Sequence, residues 1–246
     1  MNIPKIIHYC WFGGNALPDS AIKCIESWKK YFPGYEIKEW NEKNYDVKKN
    51  RYIAEAYEAK KYAFVSDYAR FDILYQYGGI YFDTDVEVIR SFEDILQKGA
   101  FMGCEENVSI QNERNLINPG LGMAAPSGLK IYKEILEFYD NQKFVNKDGT
   151  VNLETVVTKT TKILYEHGLE NKNDLQEIEG ITIYPQEYFN PKDSSTGELI
   201  MTKNTHSIHW YSMTWLPPYQ KLRKKILDPF RRIFGVNCFA WLKRNK

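Results

Sequence analysis

Residues 66–87 read SDYARFDILYQYGGIYFDTDVE, a helix, a glycine turn and a strand in succession. Tyr68, Phe71, Leu74 and Tyr75 recur at helical spacing. The pair Gly78-Gly79 is a helix stop, and Ile80, Tyr81 and Phe82 are β-formers. The chain then sets down Asp83-Thr84-Asp85. Side chains two apart on a strand share a face, so both carboxylates are expected to point the same way from a solvent-exposed turn. Adjacent carboxylates repel unless a cation or a proton lies between them. A hard divalent cation suits such a pair, because it takes oxygen ligands and leaves positions open for phosphate oxygens.

Residues 3–12 read as a first buried strand ending in Gly13-Gly14. Asp19 or Ser20 can cap a helix running to about Tyr31, and 35–40 is a second strand after the Pro33-Gly34 turn. The pattern predicts a helix over 52–60, strands over 100–104 and 121–125, helices over 129–139 and 153–167, and a strand over 181–184. Strands alternating with helices predict an α/β fold whose central sheet has parallel or mixed strands. Ligands of such sheets sit beyond the carboxyl ends of the strands. Trp11, at the end of the first strand, is placed there either to stack on a nucleobase or as a core tryptophan before an ordinary glycine turn. There is neither a G-x-G-x-x-G nor a phosphate-binding P-loop, which argues against dinucleotide binding and ATP hydrolysis.

The length of 246 residues suits one domain over 1–220 with a tail over 221–246. With 43% hydrophobic and 26% charged residues the chain can bury a sizeable core. Its aromatic content, 15%, fits either sugar or base stacking or an aromatic-rich core. Cys10, Cys24, Cys104 and Cys238 form no C-x-x-C pair, so neither a zinc site nor a disulfide framework is expected, and a reducing cytoplasm is the simplest fit. Pro4 and His8 interrupt what would be the core of a signal peptide, and no apolar run is long enough to span a membrane.

The net charge of +1 conceals an asymmetry. Of 33 Lys and Arg, nine lie in 221–246, against one of the 32 Asp and Glu, Asp228; the body keeps 24 basic and 31 acidic residues, a net of −7. In the tail Ile226, Leu227, Phe230, Ile233 and Phe234 follow a helical step, with Lys224, Lys225, Arg231 and Arg232 between them. Such a segment suits an anionic membrane surface. A solvated helix packed on the body is the plain alternative, and nothing elsewhere supports a nucleic-acid partner.

Three blocks, IPKIIHYCWFGG at 3–14, SDYARFDILYQYGGIYFDTDVEV at 66–88 and IHWYSMTW at 208–215, resemble those of glycosyltransferase family 32. These are Asp-x-Asp sugar-transferases of capsular and exopolysaccharide synthesis and of yeast mannosylation, with a more distant likeness to the glucosyltransferase domains of large clostridial toxins. The resemblance implies a GT-A-type nucleotide-sugar-binding domain with a mixed central sheet flanked by helices. It implies that Trp11 stacks on the donor base and that Asp67 and Arg70, three apart on one helix face, hold the donor sugar. Asp83 would contact the ribose and the water shell of a Mn2+ (or Mg2+) ion, Asp85 would ligate the ion, His209 would close its shell, and Trp215 would reach the diphosphate. Asn118, in Asn118-Pro119-Gly120, either touches donor or acceptor or is a turn residue. The last block departs from the usual pattern: Trp210 stands where a second His is common and Thr214 where a Ser is, and His206 competes with His209 as ligand.

The implied activity is retaining transfer from a nucleotide-diphosphate sugar, a UDP-sugar ahead of a GDP-sugar, to a saccharide acceptor on a lipid carrier. The implied location is the inner face of the cell membrane. Two rivals stand beside it. A catalytically silent sugar- or nucleotide-binding partner in a polysaccharide assembly complex would be expected to have lost one of these carboxylates. A two-metal phosphohydrolase or nucleotidyltransferase would need further clustered carboxylates.

Overall fold

The computed structural model describes residues 2–106, 114–193 and 197–212. Ten strands and seven helices alternate along them, in the order β1 (Ile6–Cys10), α1 (Asp19–Tyr31), β2 (Glu36–Trp40), α2 (Arg51–Glu58), α3 (Tyr62–Tyr77), β3 (Gly79–Tyr81), β4 (Val86–Val88), α4 (Glu93–Gln97), β5 (Ala100–Glu106), β6 (Leu116–Asn118), β7 (Met123–Ala125), α5 (Lys130–Asp140), α6 (Val156–Glu166), β8 (Gln176–Ile178), β9 (Ile181–Tyr184), α7 (Gln186–Phe189) and β10 (Ser207–His209). The expected α/β architecture is present: one mixed eight-stranded sheet, in the order β2-β1-β3-β7-β5-β9-β8 with β6 on β5, lies between layers of helices. β1 runs parallel to both β2 and β3, whereas β3 and β7 are antiparallel. β4 and β10 form a separate antiparallel pair.

Strand alternation divides the core between two layers. Ile80 and Phe82 join Ile7, Tyr9, Trp28 and Phe92 on one side, while Tyr81 joins Phe71, Leu74 and Tyr132 on the other. α3 is the central helix: Phe64, Val65 and every residue from Asp67 to Leu74 are buried. The helix therefore carries its polar site residues inside the protein, where burial commits them to partners. Gly78 ends α3 at a φ of +65°, its N–H bonded to Leu74 O at 2.9 Å. A Cβ on Gly79, whose φ is +104°, would lie 2.7 Å from Ile6 O, so the close approach of β3 to β1 requires glycine.

Several boundaries differ from the sequence reading. α1 begins with Pro18 at its N-cap position, and Asp19 lies in its first turn, so neither Asp19 nor Ser20 is the cap. α6 starts at Val156 instead of 153, because the Thr155 hydroxyl accepts from Thr158 N and caps it. The strand expected over 121–125 is a short 3-10 turn, Pro119–Leu121, followed by β7. Cys10, Cys24 and Cys104 are free and buried. No helix among the described residues is long and apolar enough to cross a membrane. Trp215, Thr214 and the basic tail lie outside the described residues.

Candidate active site

Trp11 and Asp83 leave the neighbouring parallel strands β1 and β3 at the same sheet edge, since His8 pairs with Tyr81 and Ile7 with Ile80. The Asp-x-Asp segment is a turn and not a strand end: Val86 N donates to Asp83 O at 3.0 Å, and Asp83 N donates to Gly120 O at 3.2 Å. The two carboxylates converge because the turn brings them together. With His209 they form a group whose ligand atoms all lie within 4.8 Å of one another. β10 delivers His209, which pairs with Val86 across the β4–β10 ladder.

The turn is not solvent-exposed as expected. Asp85 is half-buried, and both its oxygens are engaged: Oδ1 faces His209 Nε2 at 3.1 Å, and Oδ2 accepts from Ser212 N at 2.8 Å and Ser212 Oγ at 2.9 Å. Burial opposes its charge, but His209 and the Ser212 bonds hold its carboxyl well below the usual carboxylate range. His209 is itself buried; burial would lower its pKa, yet the facing Asp85, aided by Asp83 and Glu105, raises it. Asp83 is raised, chiefly by burial, with Arg70 opposing and Asp85 adding to the effect.

Arg70 joins the two halves of the site. Its Nη2 lies 3.0 Å from Asp67 Oδ1 and 3.2 Å from Asp83 Oδ1, and its Nε donates to Ser66 O at 3.1 Å. The spacing of three on α3 does place Asp67 and Arg70 together, as a buried pair and not a surface one. Burial works against the guanidinium, but Asp83, Tyr81 and Asp67 keep it charged. Burial pushes Asp67 up to about 6, only partly offset by Arg70. Arg70 Nη1 is buried without a hydrogen-bond partner. An unpaired guanidinium donor beside two carboxylates is suited to an oxygen-rich ligand.

Asn118 is the turn residue that the sequence allowed: its side chain accepts from Gly120 N at 2.6 Å and shapes the turn behind Asp83. Trp11 is half-buried, its Nε1 donating to Asn15 O at 2.7 Å. It is therefore neither a fully buried core residue nor free of the body. His206 is removed as the alternative ligand. Its Nδ1 lies 2.7 Å from Ser91 O and its ring stacks on Tyr188, away from the aspartate pair. His8 has a structural place: Trp40 Nε1 donates to its Nδ1 at 3.0 Å, Nε2 faces Gly78 O at 3.0 Å, and burial lowers it to about 4.

Gly120, Ser212 and Tyr211 also build the site, without a role assigned to them from the sequence. A Cβ on Gly120 would lie 2.1 Å from Asp83 Oδ2, so this glycine makes room for the first aspartate. Only the Asn118-Pro119-Gly120 turn signal hinted at it. Ser212 stood inside the quoted third block without a role.

Two carboxylates and one imidazole, gathered within ligand reach and backed by a buried guanidinium, suit a divalent cation that accepts oxygen and nitrogen donors. Residues 18–102 match the family described as glycosyltransferase sugar-binding region containing DXD motif. The matched segment lies within the mixed α/β domain and includes the Asp-x-Asp turn and the Asp67–Arg70 pair, so the chain is similar to DXD-containing glycosyltransferases through the residues that build this site. It is 28% identical over 200 residues to a glycosyltransferase of Acanthamoeba polyphaga mimivirus, covering 78% of this chain and 76% of the viral protein. It is also 28% identical over 150 residues to inositol phosphoceramide mannosyltransferase 3 of Schizosaccharomyces pombe, covering 58% of this chain and 40% of the yeast protein. Among solved structures it is similar to a glycosyltransferase involved in the glycosylation of the major capsid of PBCV-1, 13% identical, with 92% of this chain and 99% of that one covered, at a TM-score of 0.47.

Proposed function

We propose that the chain moves a sugar from a nucleotide-diphosphate sugar, a UDP-sugar first among candidates, to a saccharide acceptor, with Mn2+ or Mg2+ held by Asp83, Asp85 and His209. The observation that carries this reading is the convergence of those three side chains beside the Arg70–Asp67 pair. The bound cation would supply positive charge where the departing diphosphate develops negative charge.

The chain's own residues take the remaining roles. Trp11, at the sheet edge shared with Asp83, stacks on the base. Asp67 accepts hydrogen bonds from the sugar hydroxyls, and the free Nη1 of Arg70 donates to the sugar or its phosphate. Arg70 also restrains Asp83, whose second oxygen remains for ribose. Asn118 and Gly120 keep Asp83 in place from behind. Trp215, outside the described residues, reaches the diphosphate in this scheme. Transfer retains anomeric configuration: the acceptor oxygen bonds to C1 on the face the diphosphate leaves, the C1–phosphate oxygen bond breaks, and the acceptor proton passes to that leaving oxygen.

The same proposal extends to capsular or exopolysaccharide synthesis on a lipid-linked acceptor, with the tail over 221–246 holding the acidic body to the inner face of the membrane. Each Lys or Arg near an anionic surface contributes about 1 kcal/mol. Truncation before Lys221 should abolish sedimentation with anionic vesicles at low salt and spare donor hydrolysis; failure of the full chain to sediment would remove the tail's role.

The test of the activity is a panel of nucleotide sugars incubated with Mn2+, with release of the nucleoside diphosphate as readout. Release from at least one donor, abolished by chelation and restored by Mn2+, is expected. No release from any donor, with no thermal stabilisation by any of them, would overturn the reading.

A further inference from the structure

Tyr211 sits between two groups that reach the same carboxylate. His209 Nε2 faces Asp85 Oδ1, and Ser212 N and Oγ bind Asp85 Oδ2. Extended backbone advances about 3.3 Å per residue, so an extended segment from 209 to 212 would carry these groups roughly 10 Å apart. The chain must therefore fold back. Tyr211 makes the reversal with a φ of +51°, a left-handed conformation that costs a bulky residue and persists only where its surroundings enforce it.

Those surroundings are specific. The Tyr211 ring meets the His209 ring edge-on, with centroids 4.4 Å apart and planes at 87°. Its hydroxyl accepts from Asn190 Nδ2 at 2.5 Å and is hydrogen-bonded to the Glu105 carboxylate. Asn190, itself buried, donates also to Glu105 O at 2.8 Å. The hydroxyl is thus tied to the end of β5 and the residue after α7, while the ring limits the rotation of His209.

We propose that Tyr211 is a positioning residue for the cation site: its anchored hydroxyl and left-handed backbone fix the His209 ring and the grip of Ser212 on Asp85, so that the ligand atoms are gathered in advance of the ion. This rests on the reading of Asp83, Asp85 and His209 as a divalent-cation site. Groups that orient metal ligands from behind typically change affinity by about 10–100-fold when removed.

The test is Mn2+ binding to the full-length chain, followed by the electron paramagnetic resonance signal of free Mn2+, together with the melting temperature in chelator. Tyr211→Phe keeps the ring and removes the anchor. It is expected to weaken Mn2+ binding about tenfold with little change in melting without metal. Glu105→Gln perturbs the same anchor from the other side, keeps the proposal testable if Tyr211→Phe fails to fold, and is expected to weaken binding in the same direction. If wild type binds Mn2+ and both variants bind it within about twofold of wild type, or if they lower only the melting temperature, Tyr211 is a structural residue and the proposal is overturned. Absence of Mn2+ binding by wild type itself would instead overturn the cation reading, and this proposal with it.

Discussion

Gly120→Ala places one methyl group against the first aspartate of the pair. The added Cβ would lie 2.1 Å from Asp83 Oδ2 and 2.9 Å from Asn118 Oδ1. Restoring an ordinary contact of about 3.4 Å requires Asp83 to retreat by roughly 1.3 Å. The Asp83 side chain is 28% exposed, so it can swing away without moving the sheet. The stability loss should therefore fall near the lower end of the 1–3 kcal/mol typical of overpacking, at about 1 kcal/mol. The functional loss should be larger, because a misplacement of about 1 Å can cost on the order of 100-fold in rate, or about 2.7 kcal/mol. Metal-dependent turnover measured beside thermal unfolding separates the two effects. Turnover within about threefold of wild type would refute the claim that Asp83 works from its observed position. A large stability loss with Mn2+ binding unchanged would show that the backbone, and not Asp83, absorbs the strain.

Three further outcomes follow from the same geometry. Asp85→Asn should reduce turnover by at least about 100-fold and should lose most of the thermal stabilisation given jointly by nucleotide and Mn2+; near-normal turnover would show that Asp85 is not a ligand. Arg70→Ala leaves the buried Asp67 and the half-buried Asp83 without their shared cation, and chemical denaturation should report a loss of about 3 kcal/mol, as when one partner of a buried pair is removed; a loss below about 1 kcal/mol would show the pair to be dispensable for the fold. Trp11→Ala should weaken nucleotide binding by about 1–3 kcal/mol with the fold retained, measured by calorimetry, whereas unfolding without a separate affinity change would assign Trp11 to the core.

The central unit was legible in the sequence because its signals are local. Helical spacing, two glycines and three β-formers fix α3, the turn and β3 within 20 residues, and the i,i+3 rule places Asp67 beside Arg70. The direction in which the two aspartates converge was right for a different reason, a hydrogen-bonded turn in place of strand alternation. The turn is less exposed than its local sequence suggests, because the segment that covers it, His209 to Ser212, lies about 125 residues further on. β4 and β10 have three residues each, too few for an alternation pattern, and their pairing depends on that long-range contact. The left-handed Tyr211 was invisible for a related reason: a tyrosine carries no local preference for positive φ, so only the surrounding packing puts it there. Gly120 reads as an ordinary turn glycine until Asp83 is placed behind it.

In the proposed site Asp83, Asp85 and His209 together hold one divalent cation for the donor diphosphate. The decisive experiment is Mn2+ stoichiometry in the presence of nucleoside diphosphate, with the wild-type chain compared with Asp83→Asn/Asp85→Asn. Wild type should hold one ion per chain, more tightly with nucleotide than without, and the double variant none at the same concentrations. An ion retained by the double variant with wild-type affinity would contradict this assignment.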